Sequence, residues 1–114
     1  MNEQGFKQWV ESRFGVGRGP ANDARARCRR VVKAGMDLDQ GYAEDHLTGI
    51  LLALEYTIED VHNESDPPEG ISFRFRRNRP DYFKRVKDVM AGLHHAVKLY
   101  RMFRDGIDPK SEIV

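Results

Sequence analysis

Residues 81–104 read "DYFKRVKDVMAGLHHAVKLYRMFR". Tyr82, Val86, Val89, Met90, Leu93, Ala96, Val97, Tyr100 and Phe103 recur every three or four residues, which places them on one stripe of a single long helix. Lys84, Lys87 and Lys98, with His94 and His95, fall on the opposite side. Pro80 can occupy a first helical turn and Asp81 suits the positive end of the dipole. Gly106 and Pro109 end the helix. A continuous stripe of this kind needs other helices to cover it, so the chain reads as mainly α.

Working back from that helix, "ISFRFRRNRP" (71–80) has a different period. Ile71, Phe73 and Phe75 alternate with Ser72, Arg74 and Arg76, which is the spacing of a strand. With no partner strand in the sequence, residues 71–76 are expected to form an extended arm, half of a small hairpin, or an edge that pairs with another copy. Before it, "NESDPPEG" (63–70) stops any helix, because Pro67 and Pro68 cannot continue one. Residues 43–63 are expected to form one helix, with Ala43, Leu47, Ile50, Leu51, Leu54, Ile58 and Val61 on one face. "GMDLDQGY" (35–42) reads as a connector in which Asp37 and Asp39 serve helix capping or a turn. A helix from Pro20–Asn22 to Ala34 presents Ala24, Cys28, Val31 and Val32 on a narrow apolar face. The first helix, Asn2–Phe14, places Phe6, Trp9 and Val10 together. Between these two, Gly17 and Gly19 permit a tight reversal. The expected architecture is four helices and a short arm in one domain over 1–106, with a frayed tail over 107–114.

The net charge of +1 conceals segregation. Residues 37–70 hold ten acids and no Lys or Arg, whereas residues 71–104 hold ten basic side chains against two acids. Residues 1–36 are also basic, eight against three. A near-neutral sum therefore leaves room for a polyanion partner, since local potential depends on distribution. The competing explanation is that the acidic segment packs beside the basic ones and neutralises them. With a single cysteine, Cys28, no internal disulfide can form, and a reducing cytoplasmic compartment is expected. No apolar run is long enough to cross a bilayer.

Catalytic signatures are weak. Glu59 and His62 form one E-x-x-H where a di-iron bundle needs two, and Glu55, Glu59 and His62 read better as a solvated face. His94 and His95, being adjacent, diverge by about 100° on a helix and do not converge on one metal. No cofactor, metal site or enzymatic activity is expected. The basic clusters are more informative. Arg25, Arg29, Arg30 and Lys33 lie on the second helix. Arg74, Arg76, Arg77 and Arg79 lie on the arm, and Lys84 and Lys87 begin the last helix. Phosphate backbones are gripped by several such cations on one surface, and arginine makes the better bidentate contact. Phe73 and Phe75 are expected to serve the core. Leu52, Tyr56, Leu99 and Met102, on the outer sides of their helices, are candidate contacts for a protein partner or a second copy.

"FKQWV" in the first helix, "ARARCRRV" in the second and "LHHAVKLYRMF" in the last together form a pattern. It resembles the SAM-like core-binding domain of tyrosine recombinases and phage integrases, and related helical modules of nuclease and defence proteins. The resemblance implies a four-helix bundle that clamps duplex DNA, with Arg25, Arg29, Arg30 and Lys33 on the backbone. The recombinase Arg-His-Arg set and nucleophilic Tyr have no counterpart, so the resemblance implies binding without strand cleavage. The acidic segment and the "PPEGISFRFRRNRP" insertion depart from the family pattern. The leading expectation is non-catalytic nucleic-acid binding through the arginine clusters, and these departures leave room for an alternative in which a small phage or mobile-element protein docks onto a larger complex.

Overall fold

In the computed structural model, which describes residues 1–16 and 19–110, the long apolar stripe forms α6 (Tyr82–Arg104). Ahead of it come α1 (Glu3–Phe14), α2 (Gly19–Lys33), α3 (Leu38–Asp45), α4 (Thr48–Ala53) and α5 (Ile58–His62). The protein is a small, mainly helical bundle. α1, α2, α4 and α5 all pack on α6, and α1 also lies along α2. Val86, Met90, Leu93, Val97 and Tyr100 of α6 are fully buried, and meet Phe6, Val10, Cys28, Val31, Leu47 and Leu54 from the other elements. The ring of Phe6 stands edge-on to Tyr100 at 5.3 Å between centroids, a favoured aromatic geometry. Among the described residues no helix is long and apolar enough to cross a membrane.

The first joint turns at Gly15, whose φ of 107° is open to glycine but strained for other residues. Gly17, expected to share that reversal, lies outside the described residues. Asp37 caps α3 by accepting from the backbone N–H groups of Asp39 and Gln40, both at 3.1 Å. The helix therefore begins at Leu38, inside the segment expected to be a connector.

The expected single helix over 43–63 is instead three short ones. His46 and Leu47 both adopt left-handed backbone, at φ 59° and 66°, and turn the chain between α3 and α4. Each such residue costs about 1–2 kcal/mol. Full burial of Leu47 and a 2.6 Å contact from His46 Nε2 to Asp105 Oδ1 help offset that cost. The turn folds α4 back onto α3 so closely that a Cβ on Gly41 would meet Ile50 at 2.7 Å. The chain restarts at Thr57, whose side chain and that of Asp60 cap each other's backbone N–H groups. Leu47, Leu51 and Leu54 still face the core, whereas Ala43 and Ile58 are exposed. Apolar spacing thus survives a break that ends the helix itself.

Residues 71–76 keep their alternation in burial: Ile71 is buried, Phe73 and Phe75 are half-buried, and Ser72, Arg74 and Arg76 are exposed. No strand pairing accompanies it among the described residues. Beyond α6 the chain returns along α1. The Ile107 carbonyl accepts from Trp9 Nε1 at 2.8 Å and the Pro109 carbonyl from Arg13 at 3.2 Å. The start of the expected frayed tail is therefore docked, and its last residues, 111–114, lie outside the described residues.

At the end of α6, Asp39 collects the Met1 amino group at 2.9 Å, the Tyr100 hydroxyl and the Arg104 guanidinium. Burial raises the Asp39 carboxyl, but the Tyr100 and Met1 hydrogen bonds and the Arg104 charge outweigh it and hold the carboxyl below its ordinary range. Burial, then Asp39, pushes the Tyr100 phenol up to about 12.

Core packing and the Asp39 cluster each set an expected outcome. Leu99, expected on an outer face, is only 4% exposed, so Leu99→Ala should lose about 2–5 kcal/mol in urea unfolding. Leu52→Ala, at a side chain 61% exposed, should shift stability by no more than about 0.5 kcal/mol. Because the folded Asp39 carboxyl titrates below its unfolded value, its contribution is complete above the ordinary aspartate range and fades as pH falls through the lowered folded value. Thermal melts of Asp39→Asn should therefore fall less steeply with acid over that window than those of the parent protein.

Candidate polyanion-binding groove

The arm is held by side chains and close backbone approach. Gly70, at φ 87°, brings its backbone against Ala34 at the end of α2, where an added Cβ would lie 2.8 Å from the Ala34 carbonyl oxygen. Two residues on, the Ser72 carbonyl accepts from Arg30 Nη2 at 2.6 Å. These two contacts lay the arm against α2, and Phe73 and Phe75 meet the Tyr82 ring of α6. Between the three segments runs a groove of about 540 Å³ whose walls include Arg30 and Lys33 from α2, Phe73, Arg74 and Phe75 from the arm, and Val89 from α6. Phe75 and Val89 also border a second groove of about 380 Å³, with Asp81, Lys84, Arg85 and Asp88.

Folding thus joins part of each of the three expected clusters. Arg30, Lys33 and Arg74 share one groove, and Lys84 lines the next. The other candidates are placed differently. Arg29 is held by Glu3 of α1 at 2.6 Å. Arg25 reaches Asn22 Oδ1 at 3.4 Å, and its Nε is buried without a hydrogen-bond partner. Arg77 pairs with Asp66 at 2.7 Å and lies over the Tyr82 and Phe83 rings. Arg79 pairs with Asp81 at 3.1 Å. Arg76 is exposed, and Lys87, half-buried, borders neither groove.

Sequence reasoning missed Arg85, and it assigned Phe73 and Phe75 to the core, against which they do pack. Arg85 Nε donates to Asp81 at 2.8 Å, and its guanidinium stands 5.9 Å from the Phe75 ring centroid. Arg85, and Arg79 beside it, hold the Asp81 carboxyl below its ordinary value despite some desolvation. Arg85 lies four residues after Asp81, a spacing that signals helical ion pairs. Phe73 and Phe75, expected in the core, line the groove with half-buried rings 5.4 Å apart.

Neutralisation by the acidic segment is slight. Of the carboxylates in 37–70, Asp66 and Asp39 pair with an arginine, and of these only Asp66 engages an expected contact residue. Lys33, Arg74, Arg76, Lys84 and Lys87 form no ion pair with another described residue. Elsewhere, His94 and His95 face separate grooves, His94 beside Tyr56 and His95 beside Arg27. Burial and Lys98 lower both imidazoles. Burial alone drives the Cys28 thiol up to about 12, which suits a core residue. Of the partner candidates, Leu52 is exposed, Tyr56 donates to the Ser65 carbonyl and Met102 packs half-buried against the core. Leu99 is buried, because α6 is covered on more than one side and the outer face expected for it does not exist.

No family model, curated protein or solved structure matches this chain.

Gly70→Ala should loosen the arm without unfolding the bundle. Trypsin should then cleave after Arg74 and Arg76 several times faster, while the helical circular-dichroism signal and the melting of the core change little.

Proposed function

We propose that the protein binds nucleic acid, without catalysis, by gripping the phosphate backbone through the cations around the α2–arm groove. One observation carries this reading. Arg30, Lys33 and Arg74 converge from two distant segments on one groove, and no carboxylate of the acidic segment pairs with any of them. Arg30 already hydrogen-bonds the Ser72 carbonyl, but among the described residues none of the three has an ion-pair partner, and an anionic ligand would relieve the repulsion among like charges. Arg76 and Lys84 extend the basic surface, and Arg77 joins it once Asp66 lets go. Arg25 and Arg29, implied as DNA contacts by the SAM-like resemblance, are secondary here because Asn22 and Glu3 already engage them. A reducing cytoplasmic setting agrees with the single buried cysteine.

A second reading has its own observation. Glu44 and Asp45 of α3 line a separate groove with the cap residue Asp37, and Leu52 of α4 stands exposed. The acidic groove suits a basic protein partner, as a docking module of a larger complex would need.

Fluorescence anisotropy with labelled oligonucleotides at two salt concentrations tests the first reading. Binding should weaken steeply with salt, as counterion release requires. Replacing Arg30, Lys33, Arg74 and Arg76 by Ala should lower affinity and flatten the salt slope by roughly one for each phosphate no longer neutralised. Arg25→Ala with Arg29→Ala should change little, and Asp66→Asn should tighten binding by freeing Arg77. Unchanged affinity in the four-fold variant would sink the proposal.

A further inference from the structure

Resting on the nucleic-acid reading, we infer that the groove takes a single strand and stacks its bases on Phe73 and Phe75. Two requirements define such a site: cations that follow the backbone and flat apolar faces that bases can reach. Both occur within one groove. Arg30 and Lys33 stand on one wall, and Phe73, Arg74 and Phe75 on another. The alternation of the arm separates their roles, since Arg74 is exposed between two half-buried rings.

The rings are not used up by the core. Ile71, from the same arm, is 9% exposed and supplies the apolar anchor. Phe73 and Phe75 only flank the core, resting against each other and against Tyr82 at 6.4 and 5.6 Å. Arg85 approaches Phe75 from the neighbouring groove, adding a planar cation of the kind that stacks with bases. A volume of about 540 Å³ lies in the range of roughly 300–1,000 Å³ that holds small organic groups. It suits a base with its sugar and phosphate. A duplex keeps its base faces stacked inside and could offer these rings only sugar and phosphate edges. The aromatic lining would then gain nothing.

The decisive probes are labelled oligothymidylate, oligouridylate, a duplex of equal length, and an abasic deoxyribose-phosphate strand of equal length and charge. The parent protein should bind both base-bearing single strands more tightly than the duplex, and the abasic strand more weakly by about 5- to 140-fold for each base stacked. The two base-bearing strands tell DNA from RNA as the source, and a preference for either agrees with the inference. Phe73→Leu and Phe75→Leu, which keep apolar bulk but remove the ring, should lower single-strand affinity and leave the salt slope unchanged. The abasic comparison needs no variant, so a misfolded mutant cannot decide the matter. Equal affinity for abasic and base-bearing strands, or preference for the duplex, overturns the stacking inference while the phosphate grip stands. Absence of binding to all four probes at low salt overturns both.

Discussion

The apolar stripe of α6 must leave water, and the rest of the structure is arranged around that requirement. Val86, Met90, Leu93, Val97 and Tyr100 are fully buried along one helix, and no single short neighbour can cover them all. α1, α2, α4 and α5 therefore each take a share. Burial of that area, at about 25 cal/mol for each Å² of apolar surface, is the dominant favourable term. Local features are adjusted to fit it. The chain accepts two consecutive left-handed residues at His46 and Leu47 so that Leu47 and Leu51 can both reach the core.

The same requirement fixes the charges. With the stripe inward, Lys84, Arg85 and Lys98 must face outward. Docking α2 against α6 then sets Arg30 and Lys33 beside the arm, where Arg74 completes the cluster. The acidic segment meets arginines at Asp66–Arg77 and Asp39–Arg104. One groove is lined by carboxylates and another by cations.

The arm differs from the helices that flank it. It has no hydrogen-bonded ladder of its own among the described residues and depends on Ile71, the Arg30–Ser72 bond and the close approach of Gly70 to α2. Segments secured by few buried contacts sit at the low end of local stability. The arm can therefore move without disturbing the core.

Much of this was legible in the sequence, because it depends on local periodicity. The stripe of α6, the face of α2 around Ala24 and Cys28, the inward-outward alternation of 71–76 and the segregation of charge all follow from side-chain spacing along the chain. The break at His46–Leu47 did not, because Leu47, Ile50, Leu51 and Leu54 keep helical spacing through the turn. Thr57 and Asp60, which cap the start of α5, lie inside the stretch expected to be one helix, so that restart was not anticipated either. The groove was not legible either. Arg30 and Arg74 are distant in sequence and meet only when α2 packs on α6 and Gly70 admits the arm beside Ala34. Spacing determined which residues face outward, whereas long-range packing decided which of those faces became neighbours. Periodicity is a property of consecutive residues, and proximity across the bundle is a property of the whole core.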